Sequence, residues 1–375
     1  MKKINVIVCA VAFLGLVASC GGKHQFTING SVDIPELEGK TVYLVNLDAA
    51  NLAGTCGEIG PVDSTVIADG MFVFRGKVEE PWEAMIGCPE SPFTAFVIVE
   101  PGNIVLKNND SIGGTLLNDR LQAARQSMDV SELDKEMDAY AQLYYSAPNA
   151  TMRAEAERLY DSVEAIANAR ILDANWKLYN ENSDNILAVR AMQQIIGVSN
   201  FTYSEFDSIV KAADPRVAND KNVQDKLQQL RAVDETSAGK HYTDIEGVDC
   251  KLSDLIDGKL ALVDFYASWC GPCRAEIKDN LVPLWKKYQK KGLVIVGLNV
   301  WERGDAAARK AAHEKVMADL GITYPQLVDS TRTATDTYGV RGIPQIMLIG
   351  PDGTILARDL RGAAIEEAIV KALGK

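Results

Sequence analysis

The C-terminal third of the chain alternates between two periodicities, and this alternation limits the folds that are open to it. The strand-like runs are residues 260–268, 292–300, 344–350 and 354–360, and the helix-like runs are residues 273–291, 306–321 and 365–374. Such alternation predicts an α/β domain over residues 240–375, with helices on both faces of a sheet. Because Asp352-Gly353 is a tight-turn signal, we expect the last two strands to pair as an antiparallel hairpin, which makes the sheet mixed.

Two cysteines stand where the first of these strands passes into its helix. Cys270 falls near the predicted helix N-terminus, and Cys273 follows one turn deeper. Unpaired N–H groups and the helix dipole favour a negative charge there, which lowers a thiol pKa from ~8.5 toward ~7 or below. The spacing therefore predicts Cys270 as a nucleophilic thiolate and Cys273 as the resolving thiol. The pair would alternate between a dithiol and a redox-active Cys270–Cys273 disulfide.

Other uses of a close cysteine pair fit the sequence less well. A structural zinc site needs four ligands, but the other cysteines are isolated and the three histidines form no helical pair. A c-type haem needs a histidine after the second cysteine, where this chain has Arg274. A purely structural disulfide would strain a two-residue loop. We therefore expect no metal and no cofactor.

Asp264 lies six residues before Cys270, inside the first strand. If its side chain points toward the cysteines, burial among apolar side chains raises its pKa. The carboxylate could then take the proton from Cys273 when that thiol attacks a mixed disulfide. Val263 and Phe265 flank it, so alternation alone leaves a solvent-facing position at the strand edge equally open.

The run Trp269-Cys270-Gly271-Pro272-Cys273 resembles the thioredoxin active site residue for residue. More narrowly, residues 240–375 resemble the membrane-tethered thioredoxin-like disulfide oxidoreductases of the TlpA/ResA type. The resemblance implies that Asp264 is the buried aspartate of that fold and that Ile343-Pro344 is a cis bond facing the cysteines. It further implies that Ile343 offers its main chain to an extended substrate, beside a docking surface shaped by Trp269, Gly271 and Pro272.

Three features depart from thioredoxin itself. An insertion at about residues 301–325 is typical of the TlpA/ResA group. Lys278 stands where the family has a helix proline, which leaves the usual helix kink open to question. Gly297 stands in place of the lysine that partners the buried aspartate, so the pKa of Asp264 is expected to be higher still.

The N-terminus has the pattern of an exported protein. Residues 1–19 combine two lysines with an apolar run too short to span a bilayer, and Val17-Ala18-Ser19-Cys20 resembles the bacterial lipobox. This predicts a cleaved signal peptide, a lipid on Cys20 and a tether over residues 20–28, in a periplasmic lipoprotein anchored to the inner or outer membrane. The net charge of −12 argues against nucleic acid as a partner.

The middle of the chain contains no catalytic motif. Residues 29–116 are rich in β-branched and aromatic runs separated by turn residues, which predicts a small antiparallel β domain. Residues 117–235 change to apolar residues at three- and four-residue steps, which predicts a helical segment. In an oxidising compartment Cys56 and Cys88 could form a structural disulfide or remain two separate thiols, and Cys250 would be left unpaired.

The Gly-Pro pair between the cysteines favours a reductant, because thioredoxin has a potential near −270 mV and the oxidant DsbA one near −120 mV. We therefore expect a protein-disulfide reductase for exported proteins, supplied with electrons by a membrane protein. A periplasmic oxidase or isomerase is the alternative. A second alternative makes residues 29–235 the functional centre as a client-binding module, with a spacer or dimerisation role equally open. A peroxidase is disfavoured by the close cysteine pair.

Overall fold

The computed structural model describes residues 24–47, 62–108 and 110–374. The chain divides into two compact units, one ending at Val198 and the other beginning at Ser199. No helix in the described ranges is both long and apolar enough to cross a bilayer. The predicted signal peptide and the lipidation site Cys20 lie outside the described residues.

The N-terminal unit begins with β-strands. They are β1 (Gln25–Ser31), β2 (Thr41–Asn46), β3 (Asp63–Val66), β4 (Met71–Lys77), β5 (Trp82–Gly87), β6 (Thr94–Val99), β7 (Gly102–Lys107) and β8 (Ser111–Gly113). One sheet has the order β4-β1-β7-β8 and the other β3-β2-β5-β6. Inward-facing side chains of both sheets belong to one apolar core, which includes Ile28, Val42, Phe72, Ile86 and Ile104.

The predicted antiparallel β region is confirmed, with one parallel pair inside it. β1 lies between β4, to which it is antiparallel, and β7, to which it is parallel. The parallel pair joins Ile28 to Ile104, residues far apart in sequence, and local turn signals cannot predict a pairing over that distance.

After β8, the described part of the N-terminal unit continues with the α-helices α1 (Leu116–Ser127), α2 (Ser131–Ser146), α3 (Ala150–Glu181) and α4 (Ile186–Val198). Leu117 and Leu121 of α1 extend the apolar core of the sheets. The buried side chain of Asn118 accepts from the N–H of Ile98 (3.0 Å) and donates to its carbonyl (2.7 Å), which ties α1 to β6.

The C-terminal unit opens with three further helices, α5 (Tyr203–Ala212), α6 (Pro215–Ala218) and α7 (Lys221–Glu235). The division between the units therefore falls inside the predicted helical segment of residues 117–235. α7 packs closely on the chain near Gly339, where a Cβ atom would come within 2.6 Å of Val233. Gly339 also has a positive φ of 61°, which favours glycine there.

The remainder of this unit is the predicted α/β domain. Its elements are α8 (Leu252–Ile256), β9 (Leu260–Tyr266), α9 (Gly271–Glu276), α10 (Val282–Tyr288), β10 (Leu293–Asn299), α11 (Ala306–Leu320), β11 (Gln326–Val328), α12 (Thr333–Thr337), β12 (Gln345–Ile349), β13 (Ile355–Ala357) and α13 (Ala363–Leu373). The sheet order is β11-β10-β9-β12-β13. β9, β10 and β11 are parallel, whereas β12 is antiparallel to β9 and β13. The thioredoxin-like mixed sheet is thus confirmed.

Helices cover both faces of this sheet, so its central strands are buried on both sides. One apolar core includes Leu262 and Tyr266 of β9 together with both cysteines, and the opposite core includes Val263 and Phe265. Every residue of β9 is buried, which explains its nearly unbroken apolar run.

Candidate active site

Cys270 and Cys273 form a disulfide at the start of α9, where β9 leads into the helix. Their Cα atoms are 5.3 Å apart. Cys270 is the N-cap residue of α9, and the backbone N–H of Cys273 donates to its Sγ at 3.2 Å. Cys270 is 5% exposed and Cys273 is fully buried, so only the first sulfur can be reached from outside.

The loop before β12 lies directly against the first cysteine. The Ile343–Pro344 bond is cis, and the carbonyl oxygen of Ile343 lies 3.8 Å from the Sγ of Cys270. A Cβ atom at either Gly271 or Gly342 would meet no atom within 4 Å. The backbone next to Cys270 at Gly271, and that of the facing loop at Gly342, are therefore open to an incoming polypeptide.

A second loop, after β10, holds Trp269 beside the cysteines. The indole Nε1–H donates to the carbonyl of Trp301 at 3.0 Å, and the Arg303 guanidinium lies 4.3 Å above the ring. The Glu302 carboxylate accepts from the N–H and the hydroxyl of Ser268, both at 2.6 Å. Trp301, whose carbonyl accepts the hydrogen bond from the Trp269 indole, has a φ of 55°, an uncommon conformation for a bulky residue.

The contacts of this loop with Ser268 and Trp269 were not predicted, although its start falls in the expected insertion at about residues 301–325 and one further signal was present. Glu302 follows β10 at the sheet edge where β9 also ends, because the two strands are parallel. Polar side chains after neighbouring parallel strands meet at that edge, which is a common place for functional groups.

Asp264 lies in the middle of β9 and is 1% exposed. It points to the face that also carries Leu262, Tyr266 and the cysteines, since alternate residues of a strand share a face. Neither carboxylate oxygen has a hydrogen-bond partner. Burial raises the pKa of Asp264 to about 8, with a lowering effect of Arg361 and a smaller raising effect of Glu276. Its carboxyl group is thus mainly protonated at neutral pH.

Gly297, the residue that replaces the lysine of thioredoxin, lies directly opposite Asp264 in the parallel pair of β9 and β10. A Cβ atom there would come within 2.5 Å of the Gln326 side chain. The Gln326 carboxamide instead occupies this space and accepts from the Tyr266 hydroxyl at 2.7 Å. No cation from β10 reaches Asp264, which is consistent with the direction of its pKa shift.

The helix after the cysteines is irregular even without the family's proline. Ile277–Leu281 form a π-helical stretch between α9 and α10, and Lys278 lies within it. Such a stretch changes the direction of a helix in the way a proline does. Just before it, the Glu276 carboxylate accepts from the backbone N–H of Gly362 at 2.9 Å, which ties α9 to the chain after β13.

Two further cysteines in the described ranges are free thiols. Cys88 is buried in the N-terminal unit, and Cys250 is half-buried. Burial, followed by the charges of Asp254 and Asp249, raises the pKa of the Cys250 thiol, which makes it a poor nucleophile. Cys56 lies outside the described residues, so the Cys56–Cys88 disulfide stays a prediction.

Two family models match the chain: the AhpC/TSA family over residues 232–358, and a domain of unknown function (DUF4369) over residues 26–121. The chain is similar to the thiol-disulfide oxidoreductase ResA of Bacillus subtilis, with 32% identity over 30% of this chain and 59% of that protein. It is similar to the thiol:disulfide interchange protein CycY of Rhizobium leguminosarum bv. viciae, with 38% identity over 32% and 63%. ResA of Geobacillus thermodenitrificans is 32% identical over 33% and 67%. The chain thus spans about three fifths of the length of the first two relatives.

Proposed function

The chain belongs to the ResA-type thiol-disulfide oxidoreductases, and from this premise we propose that it reduces disulfides of exported proteins through Cys270 and Cys273. The observation that carries the proposal is the Cys270–Cys273 disulfide with its outer sulfur 3.8 Å from the Ile343 carbonyl, in an open stretch of backbone. A client strand alongside Ile343 would bring its own sulfur to Cys270.

The reaction would proceed in two exchanges. The Cys270 thiolate attacks one sulfur of the client disulfide, so that a mixed disulfide forms and one client thiolate leaves. The Cys273 thiolate then attacks the Cys270 sulfur, which forms the Cys270–Cys273 disulfide and releases the second client thiolate. Two electrons pass to the client, and both of its sulfurs take up protons.

Asp264 in its ionised form, the minor form at pH 7, would receive the proton that Cys273 loses in the second exchange. A pKa of about 8 places this carboxyl close to a thiol in proton affinity, so transfer between them is nearly balanced. The absence of a hydrogen-bond partner leaves both of its oxygens available for such a transfer.

The redox potential distinguishes the reductase from an oxidase or isomerase. Gly271 and Pro272 favour a reductant, and we expect a midpoint near −270 mV in equilibrium with dithiothreitol or glutathione. The measurement is the fraction of Cys270–Cys273 disulfide at each buffer potential, read by mass after alkylation of free thiols. A midpoint near −120 mV would reverse the direction of electron flow and favour the oxidase.

The cellular setting is part of the proposal. We place the protein in the periplasm, attached to a membrane through a lipid on Cys20 and re-reduced there by a membrane protein that carries electrons across. Trp269, Gly271, Pro272 and the cis Pro344 would form the client surface. The mass of the protein purified from its native membrane tests the proposed lipid anchor. A mass that corresponds to an unmodified N-terminus would contradict it.

A further inference from the structure

A cleft of about 440 Å³ opens beside the cis-proline, within the C-terminal unit. Its walls are residues 339–345, the chain that follows β13, and Gln229 and Val233 of α7. The cleft therefore continues from the Ile343–Pro344 bond, which lies against Cys270, along the stretch of backbone that is open at Gly342.

The cleft is positively charged in a chain whose net charge is −12. Arg341, Arg358 and Arg361 line it, and Asp359 is the one acidic residue that does so. Arg358 is committed to the fold, because it donates to the Thr236 hydroxyl at 2.6 Å and to the Tyr338 carbonyl at 2.6 Å. Arg358 also forms an ion pair with Asp359, at 3.8 Å. Arg341 and Arg361 are therefore the arginines of the cleft that could bind an anion.

Arg361 lacks a carboxylate partner among the described residues. Its guanidinium donates to the carbonyls of Leu360, at 2.7 Å, and of Pro344, which uses two of its five N–H groups. The charge of Arg361 acts on Asp264, but the Asp264 carboxyl is mainly protonated at neutral pH. Asp264 therefore does not neutralise the Arg361 guanidinium. The exposed side chain of Arg361 thus contacts the cis-proline, and its positive charge has no carboxylate partner in the described ranges.

Arg341 can exchange its present partner. Its contact with Asp336 is 3.2 Å long, but the two side chains are 50% and 54% exposed, and such a pair contributes little in water. Burial, and then the charge of Arg341, lowers the pKa of Lys226 on α7. A second cation, Lys226, thus lies near enough to Arg341 for the two positive charges to repel each other.

We propose that the cleft is a carboxylate subsite that binds an Asp or Glu side chain two to four residues from the client's disulfide cysteine, through Arg361 and Arg341. The proposal rests on the proposed reductase function and adds the class of client. An extended strand advances about 3.3 Å per residue, so such a side chain lies roughly 7–13 Å from the sulfur held at Cys270. Planar guanidinium groups match carboxylates in charge and shape.

The test uses the full-length reduced protein and disulfide-bonded peptides with amidated C-termini. A parent peptide carries only Gln around its cysteine, and each derivative carries one Glu at the second, third or fourth residue from it. We expect kcat/KM for the best Glu peptide to exceed that of the parent by about five- to tenfold at low salt, mainly through KM, and the ratio to shrink as salt is added. A parent peptide with a free C-terminus reveals whether a terminal carboxylate serves instead.

Arg361→Gln should bring the Glu/Gln ratio close to one, and Arg341→Gln should lower it, whatever happens to the overall rate. Lys290→Gln removes an exposed charge outside the cleft and should keep the ratio. Equal rates for all amidated peptides with the wild-type protein would overturn the subsite alone, as would a ratio that survives both arginine changes. Preference for the free C-terminus alone would overturn the side-chain assignment. If no peptide is reduced at all, the reductase function itself fails.

Discussion

Cys273→Ser is expected to stop the reaction at a mixed disulfide between Cys270 and the client. Cys273 is fully buried, so its part is the second exchange rather than the attack on the client. A serine hydroxyl is not ionised near neutral pH and cannot cleave the disulfide. We expect one client per protein molecule at most, and a covalent complex that survives denaturation but not dithiothreitol.

Two matched variants check this result on non-reducing gels. Cys270→Ser removes the attacking sulfur and should give no complex, although Cys273 remains. Cys250→Ser, added to Cys273→Ser, removes the half-buried thiol with the raised pKa and should leave the amount of complex unchanged. Equal trapping by the Cys270→Ser protein would contradict the order of the two exchanges.

Asp264→Asn is expected to change both the stability and its pH dependence. The folded-state pKa of about 8 lies above the ordinary value of 3.8. The folded chain therefore binds this proton more tightly, and the associated stability is fully present below pH 4 and is lost as pH rises toward 8. At 1.36 kcal/mol per pKa unit, the loss by pH 7 is roughly 4 kcal/mol.

Asparagine resembles the protonated aspartate side chain but cannot ionise. The Asp264→Asn protein should therefore not lose free energy of unfolding as the pH rises. In urea unfolding of the oxidised proteins, the variant's advantage over the wild type should grow by several kcal/mol between pH 5 and pH 8. In the reduced protein, release of client from Cys270 should slow, because Cys273 loses its proton acceptor.

Asp329→Asn provides the control for this comparison. Asp329 is also buried, but its carboxylate accepts from the N–H groups of Thr331 and Ala334, both at 3.0 Å. Removing that charge should destabilise the fold rather than stabilise it. A stability difference between Asp264→Asn and wild type that stays constant from pH 5 to pH 8 would contradict a raised pKa at Asp264.

The features that could be predicted from the sequence are those that depend on neighbouring residues. The apolar run of β9 and its passage into a helix at Cys270 predict an α/β domain, since burial on both faces leaves a continuous apolar strand. The hairpin of β12 and β13 was readable from Asp352-Gly353. The side of β9 on which Asp264 lies was not readable, because apolar residues flank it on both sides and packing decides the face.

Contacts between distant segments account for what the sequence did not predict. Arg361 reaches the Pro344 carbonyl and Trp301 the indole of Trp269, and neither pair has a local spacing that would mark it. The parallel β1–β7 pair likewise depends on the register of the whole sheet. The π-helical stretch around Lys278 lies just before Pro283, whose ring and missing N–H disrupt helical hydrogen bonding to Asp279, so a proline at a different position accompanies the irregularity.

Alkylation of the reduced protein tests most directly whether a thiolate at position 270 starts the exchange. The rate of iodoacetamide reaction at Cys270, followed by mass spectrometry against pH, should have a midpoint clearly below the ~8.5 of a free thiol, near ~7, while buried Cys273 reacts far more slowly. A Cys270 that does not react at pH 7, or that titrates at or above 8.5, would contradict the proposed mechanism.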